Sequence, residues 1–492
     1  MVIRAIYGLA FCIAISAFLI GASPVSATPA PVADYQQYLA TCQAKRICNG
    51  TYIVAKNGKP VFVGAFGDSG DEGHSPLTID SSFDIGSISK QFTAMAVLRL
   101  VAEGRVQLDA KVARYLPAFP YADITVRQLL SHTSGIPDAM PYYTNLIRKG
   151  LSETPVTGAD VVSVLAAEQM TVLSAPGVRF DYSNTGYMVL AALVEHQASL
   201  PFGMYLEQSF FTPLGMNSTR LRTPANDAAI PYRTFGFADV PIGKRRRIDQ
   251  FPGFYVLGAG GIYSTAPDLL KWQNALNAGQ VVPDRLLTLA TTPTRLLDRA
   301  TVPYGFGLSL EPDLAGRNRV WHGGHWRAFK SDLSYYPAMD LTVIQLTNNN
   351  QDDSVDANAA ALATLVEGGT PPALCGPIGW ALVERLENGD AQQWFANQLS
   401  RDPCQYDITE FELNSLGYAY LKEKNAARAI SVFELGTLAF PRSDNAFDSL
   451  ADAHEAAGDL QAAQVSVAAA LELAPKSETY AKRLADLQAR IR

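Results

Sequence analysis

What most limits the fold of this chain is a change of periodicity at Gly368-Gly369-Thr370-Pro371-Pro372. Glycine and proline at this density end regular structure, so the run marks a boundary. Behind it, Leu416, Gly417, Tyr420, Ala429, Phe433 and Pro441 return as Leu450, Ala451, His454, Ala463, Val467 and Pro475 at a constant offset of 34 residues. Small residues where helices touch and a proline at the end predict stacked helix pairs, which bury a core only as neighbours. Leu386-Glu387-Asn388-Gly389-Asp390, with Trp394 and Leu399, echoes Ala456-Ala457-Gly458-Asp459 and supplies a degenerate third unit.

Ahead of the boundary the pattern is different. A helix is expected over 35–44, then strands at Thr51–Ala55 and Pro60–Gly64, joined at Asn57-Gly58, where both residues accept the positive φ of a tight turn. Tyr304–Leu308, Leu333–Tyr336 and Leu341–Leu346 read as further strands, and a helix is expected over 356–366. Helices and loops fill the middle. Strands at both ends of one unit require a sheet that joins distant segments, so the fold class is α+β followed by an all-α part. The divisions are residues 1–27 (leader), 28–366 (sheet and helices), 367–405 (linker with the degenerate unit) and 406–492 (repeats).

Arg4, an apolar run from Ala5 to Gly21 and the small residues Val25-Ser26-Ala27 follow the plan of a secretory signal peptide. An uncleaved anchor is the competing reading, because the apolar run is somewhat long. Export, to the periplasm or medium, makes the four later cysteines disulfide candidates. Proximity suggests Cys42–Cys48 and Cys375–Cys404, with connectivity left open by sequence. A net charge of −7 argues against nucleic-acid partners, and no membrane association is expected once the leader is removed. The one basic run, Lys244-Arg245-Arg246-Arg247, reads as a solvated loop, with contact to an anionic surface as the alternative.

Three stretches carry chemistry. In Phe83-Asp84-Ile85-Gly86-Ser87-Ile88-Ser89-Lys90, Ser87 opens a helix ending near Gly104, and Lys90 shares its face. A helix N-terminus favours negative charge, which an activated serine needs, and its own N–H can help hold an oxyanion. Tyr182-Ser183-Asn184 sits on a turn entering a helix. Tyr182 is a candidate base whose anion a Lys90 ammonium would favour, and Asn184 can hold a substrate carbonyl or the lysine. In Trp321-His322-Gly323-Gly324-His325-Trp326 the glycines let backbone approach a substrate, and the His325 N–H could pair with that of Ser87. His322 could donate to a substrate carbonyl or carboxylate, or assist proton transfer. A metal held by His322 and His325 is disfavoured, since their spacing suits a helix that the glycines forbid.

These three stretches, in this order, resemble the serine β-lactamase and penicillin-binding-protein superfamily, in its class C β-lactamase-like branch of D-aminopeptidases, D-alanyl-D-alanine carboxypeptidases and esterases. Leu129-Leu130-Ser131-His132-Thr133-Ser134-Gly135, Pro213-Leu214-Gly215-Met216 and Gly260-Gly261 with Ser264-Thr265 support the resemblance, which covers roughly 35–366. It implies an antiparallel sheet flanked by helices with a helical lobe, Ser87 as acylated nucleophile, Lys90 and Tyr182 sharing proton traffic, and Asn184, His322, Gly324 and His325 around the substrate. No metal or organic cofactor is implied. The departure is His322-Gly323-Gly324 where β-lactamases of this class carry Lys-Thr-Gly. That favours a D-amino-acid peptide or small ester as substrate over a β-lactam. A β-lactamase or D,D-carboxypeptidase remains an alternative, as does a catalytically silent binding module. The C-terminal part resembles tetratricopeptide repeats, whose concave face implies a protein or extended-peptide partner.

Overall fold

Asn57 and Gly58 reverse the chain with φ of 50° and 70°, and the strands they join run over Gly50–Lys56 and Lys59–Phe66. The computed structural model describes residues 31–149, 158–251, 255–350, 354–401 and 405–492. The expected leader (1–27) and Cys404 lie outside these residues. The hairpin joins three late strands in one antiparallel sheet, whose order is Val320–Trp326, Phe329–Tyr336, Leu341–Thr347, Gly50–Lys56, Lys59–Phe66. The first and last strands of the unit thus meet at the sheet centre, so the sheet closes only once the whole intervening chain is in place.

Successive side chains on a strand face opposite ways, and the two faces bury different partners. Tyr52 and Val54 pack with the terminal helices Val32–Ala44 and Ser354–Val366, through Tyr35, Leu39, Ala359 and Leu362. Ile53 and Ala55 belong to the larger core under the Ser89–Ala102 helix, where Phe92 lies 4.1 Å from Trp272 ring to ring. Cys42 and Cys48 form a disulfide at the end of the first helix, and Cys375 is also disulfide-bonded.

The helical lobe inserted in the sheet places the Asn184–Ala198 helix against the Ser89–Ala102 helix. Ser183 caps the former by accepting the Gly186 N–H, and Thr125 and Gln128 form a reciprocal capping box on the short Val126–Leu130 helix. One expected strand is absent. Tyr304–Leu308 is a tight turn in which the Gly305 N–H donates to Leu308 O at 2.8 Å and Gly307 has φ 69°. A β-carbon on Gly307 would stand 2.6 Å from Lys90 O, so this turn packs backbone to backbone on the Ser89–Ala102 helix. A second sheet, made of Phe83–Asp84, Ile262–Ser264 and Arg220–Leu221, was too short to read from sequence.

Beyond the boundary come the helix pairs Ile378–Asn388 with Ala391–Leu399, Glu410–Lys422 with Ala426–Ala439, and Asp444–Ala456 with Leu460–Leu473, then a final helix Glu478–Ile491. The helices starting at Glu410, Asp444 and Glu478 follow one another at the 34-residue offset. The helical part docks through Ile242, which packs into its core, and through Arg46, stacked 4.0 Å above the Trp380 ring. Ile242 lies in the loop before the basic run. There Arg245 pairs with Asp68 (2.7 Å) and Asp239 (2.7 Å), so that residue belongs to an ion-pair network, whereas Lys244, Arg246 and Arg247 are exposed or partly so. Among the described residues, no helix is long and apolar enough to cross a membrane.

Candidate active site

The Phe83-Asp84 strand ends in a single 3₁₀ turn, Gly86–Ile88, which places Ser87 ahead of the helix and Lys90 in its first turn. The turn is held by a buried carboxylate: Asp84 accepts the Gly86 N–H at 2.8 Å with one oxygen and the Gln250 amide at 2.8 Å with the other. Burial raises the Asp84 pKa to about 6, with the Gly86 N–H, Arg222 and Gln250 opposing the shift.

Lys90 is fully buried, and its Nζ has three neighbours: Asn184 Oδ1 at 2.8 Å, Ala259 O at 2.8 Å and Ser87 Oγ at 3.1 Å. The first two can only accept. All three oxygens can accept from an ammonium, Ser87 Oγ included; once one proton is lost, the two remaining N–H groups stay on Asn184 and Ala259 and the lone pair falls to Ser87. Burial drives the Lys90 pKa well below the ordinary lysine value, in agreement with that form.

Tyr182 sits over this group, with Lys90 Nζ 4.8 Å from its ring centre. The residue as a whole is 41% exposed, but its hydroxyl end faces the packed neighbourhood of Ser87. Burial of that end pushes its pKa up, with the Ser87 hydroxyl pulling the other way, so Tyr182 is a neutral phenol. The expectation that a lysine ammonium would favour the phenolate is corrected: desolvation of the phenol is the dominant influence and holds it neutral. Asn184 opens its helix and is committed to Lys90.

The third stretch is the edge strand Val320–Trp326 itself. Trp321 exchanges backbone hydrogen bonds with Ser309 (3.0 and 2.8 Å) on the outer edge. Strand alternation therefore turns the backbone groups of Gly323 and His325 to the same edge, towards the Ser87 turn. The fit is close: a β-carbon on Gly86 would stand 2.8 Å from His325 N, and one on Gly324 would stand 2.1 Å from Ile85 O. Ser331 on the next strand closes the contact, donating to Ile85 O at 2.8 Å.

His322 is 6% exposed and both ring nitrogens are engaged, Nδ1 with Gly323 O (2.6 Å) and Nε2 with the Tyr304 hydroxyl (3.0 Å). Burial, aided by Lys90, lowers its pKa to about 3. It is thus a neutral ring inside the wall, with neither nitrogen left to donate to substrate. The His325 side chain is exposed, with Nδ1 3.4 Å from Lys330 Nζ. Three positions apart on a strand, His322 and His325 face opposite sides of the sheet, which separates them as metal ligands.

A half-buried serine beside a buried amine, a tyrosine over them and a facing strand edge with an outward N–H form one constellation, and comparison with known proteins agrees with it. Residues 36–367 match the family described as Beta-lactamase. The chain belongs to that family. It is 29% identical over 345 residues to penicillin-binding protein 4* of Bacillus subtilis, spanning 68% of this chain and 76% of that protein. It is 26% identical over 335 residues to a D-aminopeptidase of Cereibacter sphaeroides, spanning 68% of this chain and only 62% of that protein. Among solved structures, a penicillin-binding protein homologue from Pyrococcus abyssi (TM-score 0.60, 23% identity) covers 72% of this chain and 81% of its own. The D-amino acid amidase of Ochrobactrum anthropi SV3 (TM-score 0.57, 22% identity) covers 73% and 99% respectively, and both share the fold. In this β-lactamase-family serine hydrolase the candidate residues Ser87 and Lys90, Tyr182 and Asn184, and His325 come from three separate segments of the chain. Sequence reading overlooked the Ala259 carbonyl, although the adjacent Gly260-Gly261 marks the tight turn that presents it. It also gave no role to Tyr304 or to His132.

Proposed function

We propose that this chain hydrolyses an amide or ester bond of a small D-amino-acid peptide or ester through an acyl-enzyme on Ser87. The observation that carries the reading is the arrangement at Lys90 Nζ, where Asn184 Oδ1 and Ala259 O are obligate acceptors and Ser87 Oγ, at 3.1 Å, is the one neighbour able to give a proton to the deprotonated amine. Lys90 takes the serine proton as Oγ attacks the carbonyl carbon, and the N–H groups of Ser87 and His325 receive the developing oxyanion. The tetrahedral adduct expels the amine or alkoxide, which collects a proton by way of the neutral Tyr182 phenol, resupplied from Lys90. Water then attacks the ester under the same base and releases the acid.

The substrate class rests on two supports. The third stretch has a neutral buried imidazole where a fixed lysine would meet a substrate carboxylate, and relatives at 26% identity are named D-aminopeptidases. We further infer that the protein works outside the cytoplasm, which the Cys42–Cys48 disulfide and the apolar N-terminal run support. The C-terminal helix pairs are read as tetratricopeptide-like units that hold a protein or peptide partner.

The test is intact-mass spectrometry with a fluorophosphonate, beside Ser87→Ala, followed by turnover of D- and L-amino-acid p-nitroanilides, p-nitrophenyl esters and nitrocefin. One adduct, lost in Ser87→Ala, with turnover of D-anilides or esters, is expected. Efficient nitrocefin turnover would move the assignment to a β-lactamase. Absence of any adduct on folded protein would leave the binding-module reading.

A further inference from the structure

Four hydrogen bonds cross the floor of the site, and the backbone groups at its two ends give them a direction. The Ser183 N–H donates to His132 Nδ1 at 3.0 Å. That nitrogen must therefore be an acceptor, and a neutral ring then carries its proton on Nε2, which lies 3.2 Å from the Tyr304 hydroxyl oxygen. At the other end, His322 Nδ1 faces Gly323 O at 2.6 Å and must donate, leaving His322 Nε2 as an acceptor 3.0 Å from the same hydroxyl. The Tyr304 oxygen accepts from His132, and its proton goes to His322. Tyr187, whose own proton goes to Leu130 O at 2.7 Å, also contacts the Tyr304 hydroxyl, and its oxygen is a second acceptor for the Tyr304 proton. Backbone groups at both ends fix both tautomers, and burial keeps both rings neutral.

Resting on the acyl-enzyme reading above, we propose that Tyr304 and His132 are positioning residues of the hydrolytic reaction. They tie the turn carrying Tyr182 and Asn184 to the edge strand carrying the His325 N–H. One end of the chain of bonds is the backbone of Ser183, between the phenol and the amide that face Lys90. The other is Gly323, two residues before His325 on the same outward edge. The spacing between proton carrier and oxyanion donor is thus set by protein groups, with no ordered water required.

The surroundings show how firmly the bridge is held. His132 has φ 56°, a conformation that costs a non-glycine residue energy and is kept by the Asp181 N–H bonding its carbonyl at 2.8 Å. Its ring lies 4.3 Å from that of Tyr182, in direct contact with the proton carrier. Tyr304 is fixed from behind by Thr294, whose N–H and hydroxyl both donate to Tyr304 O (3.0 and 2.7 Å). Gly305 has no room for a β-carbon, which would stand 1.8 Å from Ala290 O.

The experiment compares wild type with Tyr304→Phe in the full chain. Long-range ¹H–¹⁵N spectra of ¹⁵N-histidine protein report the tautomers, while p-nitrophenyl ester kinetics, fluorophosphonate labelling rate and melting temperature are followed together. Wild type should show His132 protonated at Nε2 and His322 at Nδ1. In Tyr304→Phe the His322 signals should change, and kcat and the labelling rate should fall about 10- to 100-fold with KM within about threefold, for a site misplaced by a fraction of an ångström. A loss that tracks the unfolded fraction, or kcat within twofold of wild type, would overturn the positioning role, as would a wild-type His322 protonated at Nε2. Should wild type react with neither ester nor fluorophosphonate, the acyl-enzyme reading is what has failed, and the role falls with it.

Discussion

Gly324 in the edge strand and Gly417 in the repeats both leave no room for a methyl group, but what crowds them differs. At Gly324 the obstacle is backbone from a remote part of the chain, Ile85 O at 2.1 Å, with Ser331 Oγ at 2.2 Å. At Gly417 it is the Phe433 ring at 2.4 Å, one helix further along the same pair. The hydrolase unit is assembled from long-range contacts around a single site. The helical part is assembled from neighbours, each pair packing on the next. Damage should therefore spread in the first and stay local in the second.

The largest test of that contrast is Lys90→Met. It leaves the apolar packing of the stem roughly in place but removes the amine from Ser87, Asn184 and Ala259. Ester turnover should fall about 10²- to 10⁴-fold, the range for losing a general base, while circular dichroism stays unchanged. The glycine pair comes next. Gly324→Ala pushes the strand edge off the Ser87 turn, which should lower kcat about 10- to 100-fold and cost about 1–3 kcal/mol in urea unfolding. Gly417→Ala should cost a similar amount of stability in the helical part, with kcat within twofold of wild type. Equal loss of activity in both variants would dissolve the distinction.

Legibility in the sequence follows the same divide. The repeats were readable because each helix pair repeats its own contacts, so spacing alone locates them; even the degenerate unit around Gly389 is a helix pair, Ile378–Asn388 with Ala391–Leu399. The Asn57-Gly58 hairpin was readable because its turn chemistry is local. Ser87, Lys90, Tyr182 and Asn184 could be named through motif resemblance, and the structure brings Ser87, Lys90 and Asn184 into contact under the Tyr182 ring. Tyr304 was taken as part of a strand, since an aromatic–glycine run looks extended until the positive φ at Gly307 is known. His132 gave no signal of its role, because its partners are a distant phenol and a backbone N–H. The tautomer of His322 depends on Gly323 O and Tyr304 together, which no local pattern encodes.

Whether the two parts are also independent can be asked at their joint. Ile242 reaches from the hydrolase unit into the core of the helix pairs, beside Pro241, which would meet a β-carbon on Gly379 at 3.0 Å. Ile242→Asp puts a charge into that contact, so cleavage of the 367–377 segment by added protease should accelerate about tenfold, as expected for losing roughly 1.4 kcal/mol of docking. Ester kcat should stay within about threefold. A larger fall in kcat would mean that the helices shape the cleft.

The last contrast between the parts is one of pH. Asp332 lies on the Phe329–Tyr336 strand, 1% exposed, accepting from Ser334 Oγ at 2.7 Å and 3.8 Å from an Arg319 nitrogen. Arg319 gives its shorter contact, 2.6 Å, to Asp356, so Asp332 is only partly compensated, and burial raises its pKa to about 7 from 3.8. A carboxyl whose folded pKa exceeds its unfolded one holds a proton in the native state that it would lose on unfolding. Its contribution to stability is therefore present at low pH and declines as pH rises from about 4 through about 7, by roughly 2–4 kcal/mol. Asp84, raised to about 6, acts in the same direction over a narrower window, and Glu412 in the helical part, also raised to about 6, does so there. In Asp332→Asn the amide oxygen can still accept from Ser334, while the titration is gone. The decline in urea midpoint between pH 6 and 7 should then flatten, leaving the fall between pH 4 and 6 that Asp84 and Glu412 supply. An unaltered slope above pH 6 would mean that Asp332 keeps its charge in the folded sheet, with Arg319 outweighing burial.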